Sequence, residues 1–102
     1  MKDQKQEMPD TILYRQAIKR FGAKFQIGML TEEMGELLVA INKYDRGQGD
    51  ENNVKWAIVD AWIMMEQMYV LFNMNRAEFE QIKQQRFEYL KELLKKKRFP
   101  KH

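Results

Sequence analysis

Three carboxylates fall within five residues of one helical stretch, Leu30-Thr31-Glu32-Glu33-Met34-Gly35-Glu36-Leu37-Leu38. At about 100° per residue, Glu33 and Glu36 project within about 60° of each other, one turn apart, so both reach toward one point. Ile27, Leu30, Met34, Leu37 and Ile41 recur at three- and four-residue steps and mark the expected core stripe. Glu33 then sits on the flank of that stripe, Glu36 further round, and Glu32 further still. Two charges about 5 Å apart at an effective dielectric of about 20 repel by roughly 3 kcal/mol. A bound cation reverses the sign of that cost. The same spacing also suits an ordinary solvated acidic face, and an acid on a facing helix is what would separate the two readings.

Asp60 is the candidate for that second acid. It lies in the most apolar part of the chain, where an unpaired buried charge costs several kcal/mol or is driven neutral. Either it pairs with a Lys or Arg from another helix, or it meets Glu33 and Glu36 and completes an all-oxygen site. Oxygen ligands of this kind suit Mg²⁺ or Mn²⁺ better than Zn²⁺.

Composition removes the competing chemistries. The chain of 102 residues has no cysteine and no serine, and its one histidine is the last residue, His102. Thiolate metal sites, disulfides and Ser-His or Cys-His nucleophiles are therefore excluded. Eighteen basic and fifteen acidic residues give a net charge of +3, the balance of a soluble protein rather than a strongly basic nucleic-acid binder. Met1 to Pro9 is polar, without the apolar stretch of a signal peptide. No apolar run is long enough to span a membrane, so a cytoplasmic location is expected.

The elements that must position these residues are helical. The only prolines, Pro9 and Pro100, bracket the chain. Asp10 is placed to cap a first helix with the stripe Tyr14, Ala17, Ile18 and Phe21, ended or kinked by Gly22. A second helix is expected from about Lys24 to Arg46, in which Gly28 and Gly35 each cost roughly 1 kcal/mol relative to Ala while permitting close helix packing. Arg46-Gly47-Gln48-Gly49-Asp50 reads as a loop. A third helix, from about Glu51 to Asn73, is apolar on nearly all sides and so must be covered on nearly all sides. That predicts a homo-oligomer with this helix at its centre. Asn75-Arg76-Ala77-Glu78 resembles a capping box and opens a fourth helix bearing Phe79, Ile82, Tyr89, Leu90 and Leu93. The expectation is a single all-α, four-helix bundle-type domain over residues 10–94. A flexible tail at 1–9 and a basic tail at 95–102 would flank it.

The runs Ile27-Gly28-Met29-Leu30-Thr31-Glu32-Glu33-Met34-Gly35-Glu36, Ile41-Asn42-Lys43-Tyr44 and Ile58-Val59-Asp60-Ala61-Trp62-Ile63-Met64-Met65-Glu66-Gln67 together resemble the MazG-like all-α nucleoside triphosphate pyrophosphohydrolases. The likeness is to their short, single-domain, often phage-borne members, and covers roughly residues 12 to 90. The family signature is E-E-x-x-E followed by E-x-x-D. The resemblance implies Mg²⁺-dependent hydrolysis of a nucleoside triphosphate to the monophosphate and pyrophosphate, by a dimer or tetramer. Glu33, Glu36 and Asp60 match its metal ligands. Glu32 matches the first Glu of the motif, which holds a second ion or positions the attacking water. Lys43 and Arg46 stand where they could hold the phosphate tail, or are solvated helix-end cations.

One position departs from the pattern. The Glu of E-x-x-D should stand at 57, where this chain has Ala57. Water could replace the missing ligand and leave a slower site, Glu66 or Glu51 could compensate, or catalysis could be lost. The last case would leave a helical module that binds a nucleotide, a protein or nucleic acid. Trp56 lies near the face of Asp60, where it could stack on a base or pack in a core. The eight methionines read as adaptable core filling.

Overall fold

The computed structural model describes residues 10–96. They form four helices: α1 (Thr11–Phe21), α2 (Ala23–Asp45), α3 (Glu51–Leu71) and α4 (Arg76–Lys95). There is no strand among the described residues. The expected tails, at 1–9 and from Lys97 onward, lie outside them.

The helix boundaries follow the local chemistry. Gly22 alone separates α1 from α2; at φ 93° and ψ 148° it adopts a conformation that a side chain resists. The Asp50 side chain accepts the Asn53 amide at 2.8 Å and caps α3. The Asn75 side chain accepts the Glu78 amide at 2.9 Å and caps α4, forming one half of the anticipated box. Asp10 differs from expectation. It precedes α1 in a left-handed conformation, φ 62°, and its side chain makes no capping bond.

Three helices pack together and one does not. α3 lies along both α2 and α1, with its longest contact on α2, whereas α4 runs alongside none of the other three. The molecule is therefore 49 × 35 × 21 Å, with a radius of gyration of 17.0 Å, against about 13 Å for a compact domain of this length. The expected closed bundle is thus three helices plus a projecting fourth.

The core is small and partly polar. Tyr14, Ala61 and Met64 are its buried hydrophobic residues, joined by buried Thr11, Gln26 and Gln67. Gln26 donates to Gln67 across α2 and α3. The Tyr14 hydroxyl donates to Glu66 at 2.7 Å, tying α1 to α3. Burial and the Glu66 carboxylate together push the Tyr14 phenol well above its ordinary value of 10.0. Among the described methionines only Met64 is buried, so core filling accounts for few of them.

The inner face of α2 is not the stripe read from the sequence. Its covered positions are Gln26, Met29, Leu30, Glu33, Leu37 and Ala40, whereas Ile27, Met34 and Ile41 are exposed. At 100° per residue this face is rotated by roughly 70° from the predicted one. Glu33 accordingly sits in the seam rather than on its flank. The outward half of α3 is equally uncovered, with Trp56, Ile58, Val59, Trp62 and Ile63 all exposed.

Gly28 and Gly35 do not mediate close packing within the chain, because a methyl group at either would meet open space. Gly28→Ala should therefore raise the unfolding free energy by about 0.5–1 kcal/mol. Gly22→Ala, forced into an unfavourable backbone region, should lower it by about 1 kcal/mol or more. Urea denaturation of the two variants beside the parent checks both signs.

Candidate functional site

The α2–α3 seam has a single antiparallel register. Gln26 bonds Gln67, Glu33 feels the charge of Asp60, and Ala40 and Asn53 line one groove. The reversal that sets it is the loop from Arg46 to Asp50. There Lys43 O, in the last turn of α2, accepts the Gln48 amide at 2.8 Å and the Gly49 amide at 3.1 Å. A side chain at Gly49 would stand 3.0 Å from Lys43 Cβ, so the loop lies flat on the helix end only with glycine there. Gly47, at φ 72°, supplies the left-handed turn that precedes it. In this register Ala57, half-buried and one turn before Ala61 on α3, stands level with Glu36.

The carboxylates named from the sequence are brought together electrostatically. Burial raises the Glu33 carboxyl above its ordinary value of 4.5, and the charges of Glu36, Asp60 and Glu32 raise it further, as does a hydrogen bond with Glu36. Glu33 Oε2 is shut off from solvent and has no hydrogen-bond partner, an orphaned acceptor that a cation or a proton would satisfy. Glu32, Glu36 and Asp60 are exposed. The expectation that Asp60 is buried in an apolar helix is therefore corrected: it lies at the edge of the seam. Among the described residues no group of three acidic side chains is already gathered in a coordinating arrangement. The donor set is nevertheless all oxygen, the chemistry that Mg²⁺ and Mn²⁺ prefer, and the orphaned Oε2 fits a cation.

Beside the seam runs a groove of about 490 Å³, lined by Glu32, Gly35, Glu36, Val39, Ala40, Lys43, Gly49 and Asn53. Six of these residues form one stripe along α2. They place two carboxylates at one end and the Lys43 ammonium seven residues beyond Glu36, about 10 Å along the axis. Between them the floor is apolar, made of Gly35, Val39 and Ala40. Such a trough accepts an elongated anion whose far end meets a cation.

The other sequence candidates fall elsewhere. Arg46 is the C-cap residue of α2 and does not line the groove. Trp56 is 73% exposed, neither in the core nor on the groove, and borders a separate hollow with Lys55 and Val59. Glu66 is held by Tyr14, and Glu51 pairs with Lys55 at 3.0 Å, so neither takes the place of the Glu missing at 57. Asn53 and Gly49 were not read as site residues. Asn53 stands seven residues before Asp60, two helical turns along nearly the same face, which is the signal that could have found it.

No family model matches the chain, nor does any curated protein or solved structure.

The sign of the Glu33 shift gives a pH dependence. Its folded pKa is raised, so its contribution to stability is full below about the ordinary 4.5 and is lost as pH rises through the folded value. Without divalent ions, Glu33→Gln should raise the thermal midpoint at neutral pH and flatten the decline in stability above pH 4.5. Thermal scans of parent and variant across pH measure both.

Proposed function

We propose that this chain is a divalent-metal-dependent nucleoside triphosphate pyrophosphohydrolase of the MazG-like kind. The observation that carries the reading is the orphaned Glu33 Oε2, surrounded by the charges of Glu36, Asp60 and Glu32 and bordering a groove that ends at Lys43. Four carboxylates that raise one another's protonation cost are poorly placed for stability and well placed for a cation.

In this reading Glu33, Glu36 and Asp60 hold Mg²⁺ or Mn²⁺. The bound ion would offset phosphate charge and make water a stronger nucleophile. Glu32, exposed at the mouth of the groove, either helps hold a second ion or accepts a proton from the attacking water. Lys43 holds the phosphate tail as a point charge, and Asn53 offers an amide to the same end. Gly35, Val39 and Ala40 give the nucleotide an apolar wall. Ala57 leaves the cage one carboxylate short at the level of Glu36, where water completes the shell, since Mg²⁺ retains several waters readily. The reaction is hydrolysis to the monophosphate and pyrophosphate.

The reading includes a homo-oligomer, a dimer or a tetramer. Its support is the apolar surface that one chain leaves uncovered on Trp56, Ile58, Val59, Trp62 and Ile63 of α3. Contiguous patches of this kind mark association sites. No helix among the described residues is long and apolar enough to cross a membrane.

The test is pyrophosphate release from ribo- and deoxyribonucleoside triphosphates with Mg²⁺ or Mn²⁺. Glu36→Gln should lower the rate by about 100-fold or more. Lys43→Ala should raise KM by about tenfold, the loss of one charge-assisted contact of about 1.5 kcal/mol. Ala57→Glu should tighten metal binding. Pyrophosphate release by neither the parent nor Ala57→Glu, with no metal uptake by calorimetry, overturns the enzyme and leaves a helical binding module.

A further inference from the structure

We infer that α4 is an exchanged arm, which leaves its own chain at a rigid elbow and docks on the outward α3 face of a second copy. This deepens the oligomeric part of the reading above and is independent of catalysis.

The elbow is built rather than slack. At the end of α3 the Phe72 amide donates to Met68 O at 2.9 Å, Asn73 to Val70 O at 3.1 Å and Met74 to Tyr69 O at 2.7 Å. Asn73 takes the left-handed conformation, φ 56°, that terminates helices. Asn75 caps α4 at once, and the Phe79 ring packs on Tyr69 with centroids 5.2 Å apart. Every amide of the turn from Phe72 to Met74 is paired, so the direction in which α4 departs is fixed by the turn itself.

What departs is an amphipathic helix with nothing along its apolar side. Phe79, Ile82, Phe87, Leu90, Leu93 and Leu94 share one face, and Ile82, Phe87, Leu90 and Leu94 are exposed. The opposite face is laced by Glu80–Lys83, Glu88–Lys91 and Glu92–Lys95 pairs at 3.2–3.5 Å. Such a helix is patterned to lie on an apolar surface. The same chain offers one, the outward face of α3, which its own α4 does not cover.

A second copy supplies both halves of the match at once. Under twofold symmetry each arm covers the partner's α3, and each α3 is covered by the partner's arm. The area is sufficient. The chain exposes 8748 Å², against about 6,100 Å² for a compact monomer of this mass. A stable dimer removes about 800 Å² or more from each partner.

The test uses the full chain and two variants. Ile82→Glu with Leu90→Glu spoils the arm, and Val59→Glu with Trp62→Glu spoils the receiving face. In sedimentation each variant alone should run as a monomer. Their equimolar mixture should regain a dimer, with a dissociation constant at least about tenfold lower than that of either alone. A mixture that stays monomeric beside a dimeric parent overturns the exchange and leaves the oligomer standing. A monomeric parent overturns both, and pyrophosphate release by that monomer would leave the catalytic reading intact. Should a variant fail to fold, the absence of native cysteine allows Val59→Cys with Leu90→Cys to be cross-linked by a short bis-maleimide in mixed light and heavy isotopic chains. Links from 59 to 90 between light and heavy chains are expected; links only within a chain overturn the exchange.

Discussion

A carboxyl group closed inside the α2–α3 seam is the constraint around which this protein is arranged. Glu33 sits among covered positions, with one oxygen cut off from water and unpaired. Each neighbouring acid makes its ionisation harder. A protein interior tolerates such a group only as a neutral acid or beside a cation. The rest of the seam holds it there. The Gln26–Gln67 bond fixes the register at one end, the glycine-lined reversal fixes it at the other, and the Tyr14–Glu66 bond holds α1 against the pair.

The helices were legible in the sequence because their ends carry explicit chemistry. Gly22, Asp50 and Asn75 stand at the junctions where they were expected, two of them with the anticipated capping bonds. The face of α2 was not legible. Ile27, Met34 and Ile41 obey the same spacing as Leu30 and Leu37, and periodicity does not say whether an apolar residue is meant for its own chain or for another. An argument that follows the most hydrophobic stripe therefore finds a surface, and the inner face, bearing Gln26, Glu33 and Ala40, is missed because it is more polar. The same blindness put Asp60 in the interior, since a mostly apolar helix was assumed to be covered all round.

The candidate site was partly legible for a related reason. Spacing on one helix gives angles reliably, so Glu32, Glu33 and Glu36 could be placed from the sequence. What lay across from them required the register. That register brings Ala57 level with Glu36 and Asn53 level with Ala40, and it turns Glu66 toward Tyr14 instead. Trp56 illustrates the limit of proximity in sequence: four residues from Asp60, it faces away from the groove.

The turn from Phe72 to Asn75 separates two parts of this molecule that share no wall. The groove is made wholly from α2, the reversal and the first turn of α3, while α4 takes its bearing from the turn alone. Adding or removing one residue in that turn would swing the face of α4 by about 100°, and leave every group of the groove where it stands. Quaternary architecture can thus drift by small insertions while the pocket is inherited unchanged. Relatives of this chain can in that way keep one chemistry and diverge in how many copies stand together.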